Sequence, residues 1–166
     1  MRAAAPYKLA SALANGRPLS TVADTILHSE PYGAMLLAPE VPCLIVAWYS
    51  FANSEQFRFL MNRGLELYAA EAQRTQPLGW LADTRGVSAI RVADQEWLDK
   101  DWNPRAYTAG IRHVSFVVPE TVFGQMAVNN YSDKATASSS YTITPDQHRT
   151  LAEAKTWLHN ELLSSK

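Results

Sequence analysis

The sequence predicts an α/β domain, and three observations carry that reading. Two runs, residues 43–51 (beginning Cys-Leu-Ile-Val-Ala-Trp) and 111–118 (Ile-Arg-His-Val-Ser-Phe-Val-Val), are rich in β-branched and aromatic residues and have the length of strands. Between and after them lie stretches whose apolar residues recur at helical spacing. The two kinds of segment alternate, which argues for a mostly parallel sheet joined by crossover helices.

The elements follow in order. Residues 26–29 and 34–38 read as extended segments broken by the turn Pro31-Tyr32-Gly33, and residues 39–42 make the next corner. Connections this short imply a hairpin, hence one antiparallel edge. Asn53 caps the first long helix together with Gln56 three residues on. Phe57, Leu60, Met61, Leu65 and Tyr68 form its apolar stripe, with Gly64 on the same stripe where a neighbour can approach closely. Residues 77–91 run from a short apolar strand (Leu78, Trp80, Leu81, Ala82) through the polar turn Asp83-Thr84-Arg85-Gly86 toward a helix entrance. Ligands and partners meet α/β sheets at such places. Residues 94–102 read as a second helix with an acidic start, ended by Asn103-Pro104. A further short helical piece then closes at Gly110. A helix over 121–131, a polar loop over 132–140 and a last strand over 140–143 come next. Thr144, Pro145, Asp146 and Gln147 have the pattern of a helix start with a capping box. Leu151, Ala154, Leu158 and Leu162 then line the final helix, with Trp157 beside them. The order is β-β-α-β-α-β-α-β-α.

Length and composition set the class. The chain has 166 residues, 47% hydrophobic and 19% charged, enough for one domain with a real core. Residues 1–24 read as a loosely ordered extension, with a helical turn around 7–13, and residues 25–166 as the domain. The formal charge is −1, with fifteen basic and sixteen acidic residues interspersed, so no nucleic-acid surface and no polybasic membrane patch is expected. The longest apolar run, residues 43–49, is far short of the ~18 residues of a membrane span. A broken apolar core in the first residues argues against a secretory leader, so the expected location is cytoplasmic. Cys43 is the only cysteine and reads as a small buried hydrophobe.

Catalytic chemistry finds little support. His28 and Glu30 stand on one face of a strand, a metal half-site that lacks a third ligand. Asp94, Glu96, Asp99 and Asp101 spread around a helix and read as a solvated face. His113 and Ser115 share a strand face but no nucleophile turn. The seven glycines do not cluster into a phosphate loop. No cofactor is expected. Trp97, Trp102 and Tyr107 lie around the helix after the turn at 83–86 and, exposed together, would mark an apolar ligand groove.

The element order, the Trp-Leu-Ala-Asp-Thr-Arg-Gly turn, the Trp97-Leu98 helix, Phe123-Gly124 and the closing Glu-Ala-Lys-Thr-Trp-Leu of 153–158 resemble the SpoIIAA-like branch of the STAS domains. That fold is shared with anti-sigma-factor antagonists and related to SEC14-type lipid-binding domains. The resemblance spans residues 25–163. It implies a SpoIIAA/STAS-like sheet and a non-enzymatic bacterial regulatory or protein-interaction module. The alternative it implies is a small carrier of an apolar ligand or lipid in the SEC14 manner. In the antagonists an Asp-Ser-Ser-Gly motif carries a phosphorylated serine, the second of its pair. Asp83 and Gly86 match that motif, Thr84 stands at the first serine, and Arg85 occupies the acceptor's place and cannot be phosphorylated in that way. Thr84 and Ser88 remain as hydroxyls, with the added charge favoured near a helix start. The plainer use of the turn is structural: Asp83 and Thr84 bond across it and Gly86 supplies backbone freedom. The expected partner is another protein or a second copy in a homodimer, with an apolar small molecule as the alternative.

Overall fold

The computed structural model describes residues 23–165 and, ahead of them, only the backbone pairing of strand β1 (Leu13–Ala14) with β2 (Arg17–Pro18). The expected extension over 1–24 lies mostly outside the described residues. Leu13, placed above in a helical turn, is in a strand.

The main sheet has six strands in sequence order, β3 (Thr25–Glu30), β4 (Gly33–Ala38), β5 (Cys43–Trp48), β6 (Gly79–Asp83), β7 (His113–Val117) and β8 (Thr144–His148). β3, β4 and β5 form an antiparallel meander, and β5 to β8 are parallel. The molecule is therefore α/β with a mixed sheet. Three strands of this sheet, not two, precede the first helix, because each of the tight corners at 31–32 and 39–42 turns the chain back onto its neighbour.

Side-chain alternation sorts the core into two layers. Leu44, Val46 and Trp48 of β5, Trp80 and Ala82 of β6, and Val114 and Phe116 of β7 point to one face. There they meet α1 (Ser54–Ala72), α2 (Val92–Trp97), α3 (Asn103–Ala109) and α4 (Val122–Ala137). Successive crossovers running in one direction across a sheet put their helices on one side. Ala34, Leu36, Cys43, Ile45, Leu81 and Val117 point the other way, onto α5 (Leu151–Ser164). Strands buried on both faces read as unbroken apolar runs, as β5 does. Burial pushes the Cys43 thiol well above its usual range, leaving an inert side chain.

Helix α1 starts as its sequence requires. The Asn53 side chain accepts from the Gln56 backbone N–H at 2.9 Å, and Gln56 Oε1 accepts from the Asn53 N–H at 3.0 Å. Gly64 lets the helix settle onto Trp80 and Met35, whose side chains a Cβ would meet at 2.7 and 2.9 Å.

Four expectations are corrected. Asn103-Pro104 does not end a helix: α2 passes through a π-helical turn (Leu98–Trp102) straight into α3, which stops at Gly110 with φ 113°. The widened turn lies just ahead of Pro104, whose ring would otherwise clash with the carbonyl four residues back. Residues 132–137 continue α4 instead of forming a loop. The last strand is Thr144–His148, not 140–143, and residues 144–147 cap nothing. Pro145 is tolerated because β8 is an edge strand, where one side of the backbone needs no partner. The cap of α5 is Thr150, whose hydroxyl accepts from the Glu153 N–H at 3.1 Å.

One ion pair ties the chain ahead of β3 to α5. Lys155 Nζ donates to Asp24 Oδ2 at 2.6 Å, with both side chains buried. Breaking a buried pair strands a charge, so Asp24→Ala lowers stability by about 3 kcal/mol or more. Replacing both residues with apolar ones of similar volume costs far less. Urea unfolding of the single and double variants checks this, and equal losses in the two would contradict it.

Candidate functional site

The carboxyl ends of β5, β6 and β7 meet at the turn 83–86. Asp83 ends β6 almost fully buried. Its Oδ1 accepts from Arg85 Nε at 2.9 Å and its Oδ2 from Arg85 Nη2 at 2.6 Å. Oδ1 also accepts the Arg85 backbone N–H at 3.3 Å, so the carboxylate shapes the turn and pairs with its cation at once. Thr84 is buried, and its hydroxyl donates to the Val117 carbonyl at 2.6 Å, which locks the turn to the end of β7. Gly86 runs so close beneath β5 that a Cβ would penetrate the Trp48 carbonyl oxygen and meet the Tyr49 carbonyl carbon at 2.8 Å. The turn is thus a rigid ledge. Partial burial, and then the Asp83 carboxylate, raise the Tyr49 phenol above its usual range.

Ser88 differs from Thr84. It is exposed, and its carbonyl lies 3.4 Å from the Thr121 hydroxyl that caps α4. Of the two hydroxyls, Ser88 is the one a modifying enzyme reaches without opening the sheet.

Apolar side chains crown this end. Phe51 follows β5 and is 58% exposed; Val92 opens α2 at 70%; Val122, Phe123 and Met126 occupy the first turns of α4 at 71%, 73% and 54%. Phe51 flanks a shallow hollow with Val87, Ser88 and Ile90. The sequence held a signal for the α4 members. Gly124, Ala127, Val128 and Ala135 are the helix's buried stripe, and the three large apolar residues fall off it, where only solvent or a partner can take them.

Beneath the helices lies a cavity of about 50 Å³ walled by Trp48, Phe57, Trp80, Trp102, Phe116 and Tyr131, with Thr84, Ile90 and Gln95 also in its lining. It is almost wholly apolar. Among the described residues, Trp97, Trp102 and Tyr107 do not come together to line the expected groove. Only Trp102 lines the cavity, buried, with its Nε1 donating to the Met61 carbonyl at 3.0 Å. Trp97 stands edge-on to Phe57 under the Arg58 guanidinium. Tyr107 is stacked by Arg112. Trp97 and Tyr107 are ten residues apart in sequence, so about 15 Å of helical rise separates them.

The acidic residues of this helix are also not a solvated face throughout. Asp94 is buried, taking the Ser54 hydroxyl at 2.6 Å and Arg58 Nε at 2.8 Å, and so pins α2 to α1. Asp99 accepts from the Tyr141 hydroxyl at 2.8 Å within a buried chain through Asn103 to Tyr131. Burial drives the Tyr131 phenol far above its usual range, so it stays neutral and a donor. Asp101 pairs with Arg105.

The other candidates stay apart. His28 Nε2 and Glu30 Oε1 are 3.1 Å from each other, and among the described residues no three His, Cys, Asp or Glu side chains gather to hold a metal. Ser115 is buried and its hydroxyl donates to the Ala154 carbonyl at 3.0 Å, not to a base. No helix among the described residues is long and apolar enough to cross a membrane. No protein-family model matches the chain, and neither does any curated protein or solved structure.

Proposed function

We propose that the protein is a non-enzymatic regulatory module that binds another protein through the carboxyl end of its sheet. The observation that carries this reading is the set of exposed apolar side chains, Phe51, Val92, Val122, Phe123 and Met126, on elements radiating from the rigid 83–86 turn. Large apolar groups held out on an ordered scaffold are what an interface core uses. The resemblance to SpoIIAA-like STAS domains supports the same reading, and Ser88 is the place where a phosphate would alter it, beside the capped start of α4. The partner presents a complementary apolar surface, and its cellular setting is the bacterial cytoplasm.

Phe123→Ser tests the proposal. The side chain is exposed, so stability changes by no more than about 0.5 kcal/mol. Native mass spectrometry of the protein from the cells that make it should find the wild type with a bound protein and the variant alone. Equal retention of the partner by both would overturn the assignment of this surface.

A second reading, a carrier of a small apolar ligand in the manner of SEC14-type domains, is favoured by the apolar cavity under α2 and α4. At about 50 Å³ it is smaller than the ~150 Å³ that holds benzene in an engineered case. An acyl chain enters only if those helices part. A small molecule retained in the same spectra, with no protein, would favour this reading over the first.

A further inference from the structure

The opposite end of the sheet carries a larger opening that the proposed interface does not use. It has a volume of about 260 Å³ and lies between the ends of α1, α3 and α5 and the start of β7. Tyr68, Ala72, Pro77, Leu78 and Leu162 give it an apolar body, and Gln76, Arg112, His113 and Ser165 supply its polar groups.

Three helices end here, and bare helix carboxyl ends would repel an anion. Several of their carbonyls, however, already accept a bond. Gln76 Nε2 donates to the Ala72 carbonyl at 3.0 Å. The Ile111 N–H donates to the Ala106 carbonyl at 3.0 Å and the Gly110 N–H to that of Tyr107 at 3.1 Å. The Ser164 and Ser165 hydroxyls donate to the Asn160 and Glu161 carbonyls. Glu71, the acid beside Ala72, is held by Arg74 and Thr75. Tyr68 donates its own proton to the Leu78 carbonyl at 2.6 Å.

The one formal charge lining the opening is positive. The Arg112 guanidinium lies 3.7 Å from the centre of the Tyr107 ring, and Nη1 donates to the Tyr107 and Ile111 carbonyls. Stacking and these two bonds fix the plane of the fork, while Nε and Nη2 have no carboxylate partner among the described residues. His113 Nδ1, in the same wall, is buried without a hydrogen-bond partner, its nearest acid being Glu161 at 3.7 Å. An oriented guanidinium edge is the geometry that takes a carboxylate through two parallel bonds. The volume falls just below the ~300 Å³ at which drug-sized pockets begin.

We infer that this opening is a binding site for a small organic carboxylate with a compact apolar body, its carboxylate on Arg112 and its body against Tyr68, Leu78 and Leu162. Benzoate is the probe, with benzamide and benzylamine as its neutral and cationic counterparts, titrated into the full-length protein while backbone amide NMR shifts are followed. Benzoate should give saturable shifts at millimolar concentration, confined to residues 76–79, 109–113 and 162–165. Benzamide and benzylamine should bind at least about tenfold more weakly, the loss of a charge-assisted pair. Arg112→Gln should weaken benzoate by a similar factor, and Arg112→Lys, which keeps the charge and loses the fork, by less. Absence of benzoate shifts in these segments, benzylamine binding as tightly as benzoate, or undiminished binding to a folded Arg112→Gln protein would each overturn the inference. The ligand comparison needs no variant and stands even if Arg112→Gln does not fold.

Discussion

Replacing Trp102 with alanine lowers stability by about 4 kcal/mol, a large part of what a domain of this size possesses. The side chain is 1% exposed, packs edge-on to Trp80 with ring centroids 5.1 Å apart, and donates its indole N–H to the Met61 carbonyl. Truncation removes an indole from a wall of the existing cavity, so the two volumes merge and the surroundings cannot collapse around rigid Trp80 and Phe57. It also removes a second donor from the Met61 carbonyl, which keeps its bond within α1. Trp102→Phe keeps most of the volume and loses the bond, so it should fall between wild type and alanine. The enlarged cavity gives a second readout: indole should raise the melting temperature of the alanine variant and leave that of the wild type nearly unchanged. Chemical unfolding with and without indole measures both effects. A loss under about 1 kcal/mol would mean that the helices do not rest on this tryptophan.

Gly86→Ala destabilises the protein by about 3 kcal/mol, a cost unusual for a single methyl group on a turn. The reason is contact with main chain, not side chain. The added Cβ meets the Trp48 carbonyl and the Tyr49 backbone, and neither can rotate away as a side chain would. The turn must lift off β5, carrying with it the Thr84 bond to Val117 and the Asp83–Arg85 pair. Thermal unfolding checks the magnitude, and amide exchange at 83–88 checks that the damage is centred there. Near wild-type stability would show that the turn is not held against the strand.

Much of this architecture was legible in the chain. Asn53 with Gln56, the stripe from Phe57 to Tyr68 and Gly64 on that stripe are local signals, and the structure uses each of them as the spacing implies. What escaped was decided by distant partners. Thr144-Pro145-Asp146-Gln147 carries a capping box as good as any in the chain. Pairing with β7 claimed those residues for an edge strand, and an equivalent cap six residues on, Thr150 with Glu153, began the helix instead. Asp94 looked like one of four solvated acids, and only Ser54 and Arg58, on a helix some forty residues earlier, make its burial possible. Asn103-Pro104 is a fair stop signal that a π turn overrode. At the carboxyl end of the sheet, the shape of the 83–86 turn was foreseeable from Asp, Thr and Gly, while the exposure of Phe51 and Phe123 depends on where their elements leave the sheet. Trp97, Trp102 and Tyr107 were close in sequence, yet the helix that carries them spreads them from one end of the sheet toward the other.

If this carboxyl end binds another protein, that protein lies within reach of Phe51 and Phe123 in the cell. Site-specific photocrosslinking in living cells detects such contact, with a photoreactive phenylalanine analogue at position 123, at position 51, and at exposed Asn160 on α5 as the control. One crosslinked protein common to positions 123 and 51 and absent from position 160 is the expected result. Crosslinks at position 160 alone, or none at 123 and 51 while the protein remains folded and expressed, would contradict it.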